Sequence, residues 1–299
     1  MKSSKALGKK QKIIISSIGV ALLLVVAVDN WLPYALLSHH KYAVVAHPPI
    51  LDRYGASAEA FTFATDDRVD ISGWFIPAKT PSKRTLVILH TRGGTRQDTL
   101  EFGLPLWQAG FNLAVIDLRG HGESGGQYFT FGYHEWQDVS GLLNYLEARQ
   151  DGSATDVTLI GISAGGAVAV SAAARDPRIK RLVTIASFAD LGETIQQQVP
   201  WLPGFWRIRA IQEAERIGQF KVQATSPVQA IQTVKCPVLI VHGAEGTYIP
   251  LENGKKLFES ATSRKEFYAI AGGSHENTLP RGEQELKKKT TDFAAQDLR

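Results

Sequence analysis

The chain has 299 residues, 44% of them apolar and 21% charged, a balance that excludes a fibrous or disordered protein. The net charge of +4 sits at the start: Lys2, Lys5, Lys9, Lys10 and Lys12 supply +5, so the remainder sums to −1 (4 − 5). No basic face calls for a nucleic-acid partner, and Cys236, the sole cysteine, excludes an intramolecular disulfide.

Ile13 to Val28 is a run of sixteen residues without a charge, preceded by the basic stretch. This predicts an N-terminal signal-anchor over residues 1–29, a single membrane helix with its N-terminus in the cytoplasm and the remaining domain on the extracytoplasmic side. A span usually needs ~20 residues, so a cleaved signal peptide and a buried or lipid-surface helix stand as alternatives. Trp31, Leu32 and Tyr34 suit a membrane–water interface. Residues 30–57, with Pro33, Pro48 and Pro49, read as a linker packing onto a domain over 58–299.

Phe61 to Thr65 and Ile71 to Ile76 flank Asp66-Asp67-Arg68 and read as a hairpin. Short apolar runs follow at Thr85–Leu89, Leu113–Ile116, Val157–Ile160, Leu182–Ile185 and Val238–Val241, the signature of strands buried on both faces. Helical spacing appears at Trp136–Leu146, Ala164–Ala174 and Gly254–Phe258. Strand alternating with helix implies an α/β architecture, a parallel sheet with helices on both faces. Residues 189–234 break the alternation with Trp201, Phe205 and Trp206 and read as a small cap over a site. The Lys287-Lys288-Lys289 run reads as a solvated helix face, and Cys236, before Pro237 and an apolar strand, as a packing residue.

Gly161-Ile162-Ser163-Ala164-Gly165 follows one predicted strand and opens one predicted helix. A G-x-S-x-G run in that setting is a sharp turn that lifts the serine hydroxyl off the sheet. A serine hydroxyl needs an imidazole to take its proton. His275 follows the last predicted strand, Glu266 to Ile270, in a loop led by glycines. No His, Cys and carboxylate cluster has zinc-like spacing, and neither a metal nor an organic cofactor is implied.

With these motifs in this order, residues 58–295 resemble the α/β-hydrolase superfamily, near its serine-aminopeptidase-like and membrane-anchored esterase-like branch. The resemblance rests also on Asp117–Ser124 (DLRGHGES), Cys236–Gly243 (CPVLIVHG) and Gly273-Ser274-His275. It implies a mostly parallel eight-stranded sheet with a small cap, and a serine hydrolase cleaving an ester, thioester or amide in a small-molecule, acyl or peptidyl substrate. Ser163 is then the nucleophile and His275 the base, while His90, His121 and His242 are structural. The backbone N–H groups of Arg92 and Ala164 form the oxyanion hole. The Arg92 side chain is either solvated or attracts a substrate carboxylate or phosphate.

Two departures bear on activity. The acid of such a loop stands where this chain has Gly246, and Glu245, one residue earlier and one methylene longer than Asp, is the expected acid, with Asp190 as runner-up. The turn after the first parallel strand reads His90-Thr91-Arg92-Gly93-Gly94 in place of the usual His-Gly. Both departures also fit a catalytically impaired, membrane-tethered binding protein.

Overall fold

The computed structural model describes residues 8–275, 277–281 and 283–297. In chain order it opens with helices α1 (Lys9–Asn30), α2 (Leu32–Leu37) and α3 (Pro49–Tyr54), then strands β1 (Glu59–Ala64), β2 (Asp70–Ile76) and β3 (Arg84–Leu89). Helix α4 (Leu100–Trp107), β4 (Asn112–Ile116), α5 (Trp136–Ala148), β5 (Asp156–Ile162), α6 (Ala164–Ala173) and β6 (Ile179–Ile185) follow. The excursion after β6 holds α7 (Leu191–Gln198), α8 (Gly204–Gly218) and α9 (Pro227–Ala230). The chain closes with β7 (Val238–Gly243), α10 (Leu251–Ser260), β8 (Lys265–Ile270), α11 (Thr278–Arg281) and α12 (Glu283–Ala295).

Among the described residues the strands form one eight-stranded sheet in the order β1-β2-β4-β3-β5-β6-β7-β8. The β1–β2 hairpin is antiparallel and so is the β2–β4 pairing, while β4, β3, β5, β6, β7 and β8 pair in parallel. Leu86, Val87, Ile88 and Leu89 on β3 are all fully buried, because helices cover both faces. Each such side chain stabilises the fold by about 1.5–3 kcal/mol relative to exposure. Alternate residues of one strand feed different cores. Val87 and Leu89 pack with the apolar face of α5 and α6, and Leu86 and Ile88 pack with α4 and Phe293 of α12.

Salt links stitch the front loops. Asp117, at the end of β4, is fully buried and pairs with the guanidinium of Arg96. Arg119 is buried between Asp138 of α5 and Asp67 of the hairpin turn, at 2.7 and 2.6 Å. Burial dominates at Asp138 and pushes its carboxyl up to about 7, against the lowering pull of Arg119.

The N-terminal expectation is corrected here. Among the described residues no helix is long and apolar enough to cross a membrane. The apolar run is bracketed within α1 itself by Lys9, Lys10 and Lys12 on one side and by Asp29 and Asn30 on the other. The far end of α1 is docked on the domain rather than leading into a tether. Asp29 accepts two hydrogen bonds from Arg209 of α8, at 2.6 and 2.7 Å, and α1 packs against α2 and α8. Residues 1–7 of the expected basic lead lie outside the described residues. The following segment does more than connect, since α2 packs against α8 and joins the wall of the central cavity.

Candidate active site

Ser163 stands between β5 and α6 with φ 54° and ψ −119°. A serine rarely adopts a positive φ, and holding one there costs about 1–3 kcal/mol. The surroundings impose it. The Ser163 N–H donates to the Ile185 carbonyl at 2.8 Å, and the Gly166 N–H donates to the Ser163 carbonyl at 2.9 Å. The flanking glycines are a packing requirement: a Cβ at Gly161 would lie 2.2 Å from the Gly165 carbonyl oxygen, and one at Gly165 2.4 Å from that of His90. Helix α6 therefore starts hard against the ends of β3 and β5, leaving the serine side chain at the crest of the turn.

His275 arrives from the loop after β8, and its Nε2 lies 3.1 Å from Ser163 Oγ. That loop is tightly held. The Gly273 N–H donates to the Ile270 carbonyl at 3.0 Å, the Ser274 N–H to Asn277 Oδ1 at 2.6 Å, and the Thr278 hydroxyl to the Ser274 carbonyl. The Tyr248 ring leans over His275 with centroids 5.2 Å apart. The structure thus brings Ser163 and His275, separated by 112 positions, to hydrogen-bond distance.

The carboxylates are placed differently. The Glu245 N–H donates to the Gly273 carbonyl at 2.8 Å, so its backbone joins the two loops. Its side chain is exposed, and its carboxylate makes no hydrogen bond or ion pair among the described residues. Asp190 is occupied elsewhere: it caps α7, accepting the Glu193 N–H at 3.0 Å. Neither carboxylate is brought to His275 in this arrangement.

The turn after β3 is fixed by imidazoles. His90 donates through Nδ1 to the Thr91 carbonyl at 2.7 Å and accepts the Leu118 N–H at Nε2 at 2.9 Å. His121 donates through Nδ1 to the Arg119 carbonyl at 3.0 Å and accepts the Gly93 N–H at 3.1 Å. Each ring is thereby assigned one donor and one acceptor nitrogen, the neutral form. Burial drives both below the usual histidine range, His121 to about 2. The His39 ring stacks on His121 with centroids 3.6 Å apart. The Arg92 and Ala164 N–H groups donate to no acceptor among the described residues. His242 is buried and bonds the Ile249 carbonyl at 3.0 Å, holding the loop that carries Tyr248.

Two cavities meet at Ser163. One, of about 230 Å³, lies under α7 and α8 and is closed by α2; Phe131, Phe188, Leu191 and Ile211 make it largely apolar. The other, of about 280 Å³, lies on the His275 side and is lined by Thr91, Ile185, Thr278 and Leu279. Arg92 and Tyr248 border both. The Arg92 side chain is not a solvated surface group: its Nη2 donates to the carbonyls of Ala35 at 2.5 Å and Ser38 at 3.1 Å, at the end of α2. Burial lowers its pKa. Sequence reasoning missed Leu32, Ala35, Leu36 and Tyr248 as lining residues; the i, i+4 spacing of Leu32 and Leu36 was the available signal. Among the described residues no group of three or more His, Cys, Asp or Glu side chains could hold a metal ion.

Comparison with known proteins points one way. A family model described as alpha/beta hydrolase fold matches residues 84–216. The chain is 27% identical over 225 residues to the uncharacterized protein YfhR of Escherichia coli K12, covering 73% of this chain and 74% of that one. It superposes on the esterase Pf2001 of Pyrococcus furiosus with a TM-score of 0.70 at 20% identity, covering 85% of this chain and 98% of that one. It also superposes on the acylaminoacyl peptidase of Pyrococcus horikoshii with a TM-score of 0.64 at 17% identity, covering 80% and 41%.

Proposed function

This chain has the α/β-hydrolase fold, and on that basis we propose that it is a serine hydrolase that cleaves an ester, thioester or amide through an acyl-enzyme on Ser163. The observation that carries the reading is the 3.1 Å separation of Ser163 Oγ and His275 Nε2 at the crest of a strained strand-to-helix turn.

In this mechanism His275 takes the hydroxyl proton as Ser163 attacks the carbonyl carbon. The carbonyl oxygen becomes an oxyanion and is received by the N–H groups of Arg92 and Ala164. The tetrahedral adduct collapses, the C–O, C–S or C–N bond breaks, and His275 hands its proton to the leaving group. Water, deprotonated by the same imidazole, then attacks the acyl-serine ester and releases the acid. The apolar cavity under α8 suits the acyl portion, and the smaller-walled space beside His275 suits the leaving group. His275 acts here without a contact from the Glu245 carboxylate, which is exposed.

A second reading, a binding protein built on a hydrolase fold, draws support from the exposed Glu245 carboxylate. A fluorophosphonate probe separates the two. Covalent labelling of the wild type that is absent in Ser163→Ala supports the hydrolase, whereas folded protein that takes no label sinks it.

A further inference from the structure

The deeply buried arginines of this fold all have carboxylate partners. Arg96 pairs with Asp117, Arg119 with Asp138 and Asp67, and Arg181 with Asp156. The cavities at Ser163 break that pattern. Arg92 and Arg207 both line the apolar cavity, Arg92 also borders the second one, and among the described residues no Asp or Glu lines either. Neither arginine forms an ion pair among the described residues. Their hydrogen bonds go to backbone carbonyls: Arg92 to Ala35 and Ser38, Arg207 Nη1 to Leu202 at 3.2 Å. The Arg92 Nε is buried with no acceptor among the described residues.

A guanidinium keeps its charge in proteins, so it cannot escape desolvation by losing a proton. An unpaired charge on the wall of an apolar cavity is unfavourable until an anion joins it. A guanidinium also presents several N–H groups in a plane, which matches a carboxylate or a phosphate. The backbone carbonyls occupy Arg92 Nη2 and Arg207 Nη1, and Arg92 Nη1 and Arg207 Nη2 have no acceptor among the described residues.

We propose that the substrate is an anionic amphiphile: an apolar acyl body that fills the cavity under α8, and a carboxylate or phosphate group held by Arg92 and Arg207. The assignment rests on the serine-hydrolase reading for what happens next, but not for binding. An anion held by Arg92 lies near Ser163, since both residues line both cavities. The two arginines thus select substrates by charge, while the apolar wall selects by length.

The test is calorimetric binding to full-length Ser163→Ala protein, which requires no turnover and stays informative if hydrolysis is never detected. Octanoate, octyl phosphate and octanol share one chain and differ in the head group. The expected result is that at least one anion binds about 10-fold more tightly than octanol, as one charge-assisted hydrogen bond implies. Preference for octanoate identifies the carboxylate, and preference for octyl phosphate the phosphate. Adding Arg207→Gln or Arg92→Gln should erase that preference with less effect on octanol. Equal binding of all three ligands overturns the proposal, as does an anion preference that survives both substitutions in folded protein. If a substituted protein does not fold, the three-ligand comparison on Ser163→Ala alone decides.

Discussion

The His121 imidazole accepts the Gly93 N–H at 3.1 Å, and Arg92, the residue before that glycine, lines both cavities that meet at Ser163. On the proposed mechanism the ring acts at one remove from the chemistry: it fixes the turn whose neighbouring amide receives the oxyanion. Phenylalanine at position 121 would keep the ring packing and lose the acceptor. We expect His121→Phe to lower kcat for a p-nitrophenyl ester by about 10²-fold, the loss of one oxyanion donor, with little change in KM. An unchanged kcat in folded protein removes His121 from this positioning role.

Ser163 and His275 should behave as one unit. Each alanine substitution is expected to lower turnover by about 10⁴–10⁶-fold, and the double substitution by no more than the larger single loss. Steady-state hydrolysis of an activated ester measures this. Additive losses would mean that the two side chains act in separate steps.

Glu245→Gln should change kcat by less than about 3-fold, because the carboxylate lies in solvent and removing an exposed charge does little. A drop near 10⁴-fold, the size expected for losing a triad acid, would show that the loop swings in to orient His275 during catalysis.

Ala210 lies on α8 facing the apolar cavity. Ala210→Phe should fill part of its roughly 230 Å³. In a series of p-nitrophenyl esters of rising chain length, KM should rise first for the longest acyl groups, with acetate hydrolysis the least affected. Uniform loss across the series would place the acyl group elsewhere.

Acid should loosen the histidine stack. Burial, with the Arg92 charge, lowers His39 from its ordinary 6.5 to about 4. The unfolded chain therefore takes up this proton first as pH falls. Stability from the neutral His39 is complete above about 6.5 and drains away as pH drops toward about 4. His39→Phe keeps an aromatic ring on His121 and should flatten the fall in melting temperature over that window. An identical pH dependence in both proteins would show that the ring does not titrate there.

The sheet was legible in the sequence for a simple reason. Strands covered on both faces must be apolar throughout, and Thr85–Leu89 or Val238–Val241 can do little else in a packed core. The turn at Ser163 was legible because only small residues let α6 start against β5. What local pattern does not encode is the direction of a loop side chain. Glu245 is in the acid loop by sequence, yet its backbone faces Gly273 and its carboxylate faces water. The apolar N-terminal run was misread for a related reason. Hydropathy registers an uncharged stretch, but not the Asp29–Arg209 pair that docks its end on α8.

Helix α2 reaches the cavity at Ser163 from about 130 positions upstream, and the Arg92 side chain ties it to the turn beside that serine. It belongs to neither the sheet nor the turn that arranges the reacting groups. On the proposed function it forms, together with α8, a mould around the acyl group. On the proposed mechanism, changes at the cavity-facing positions of these two helices would retune which substrates enter while Ser163 and His275 stay where they are.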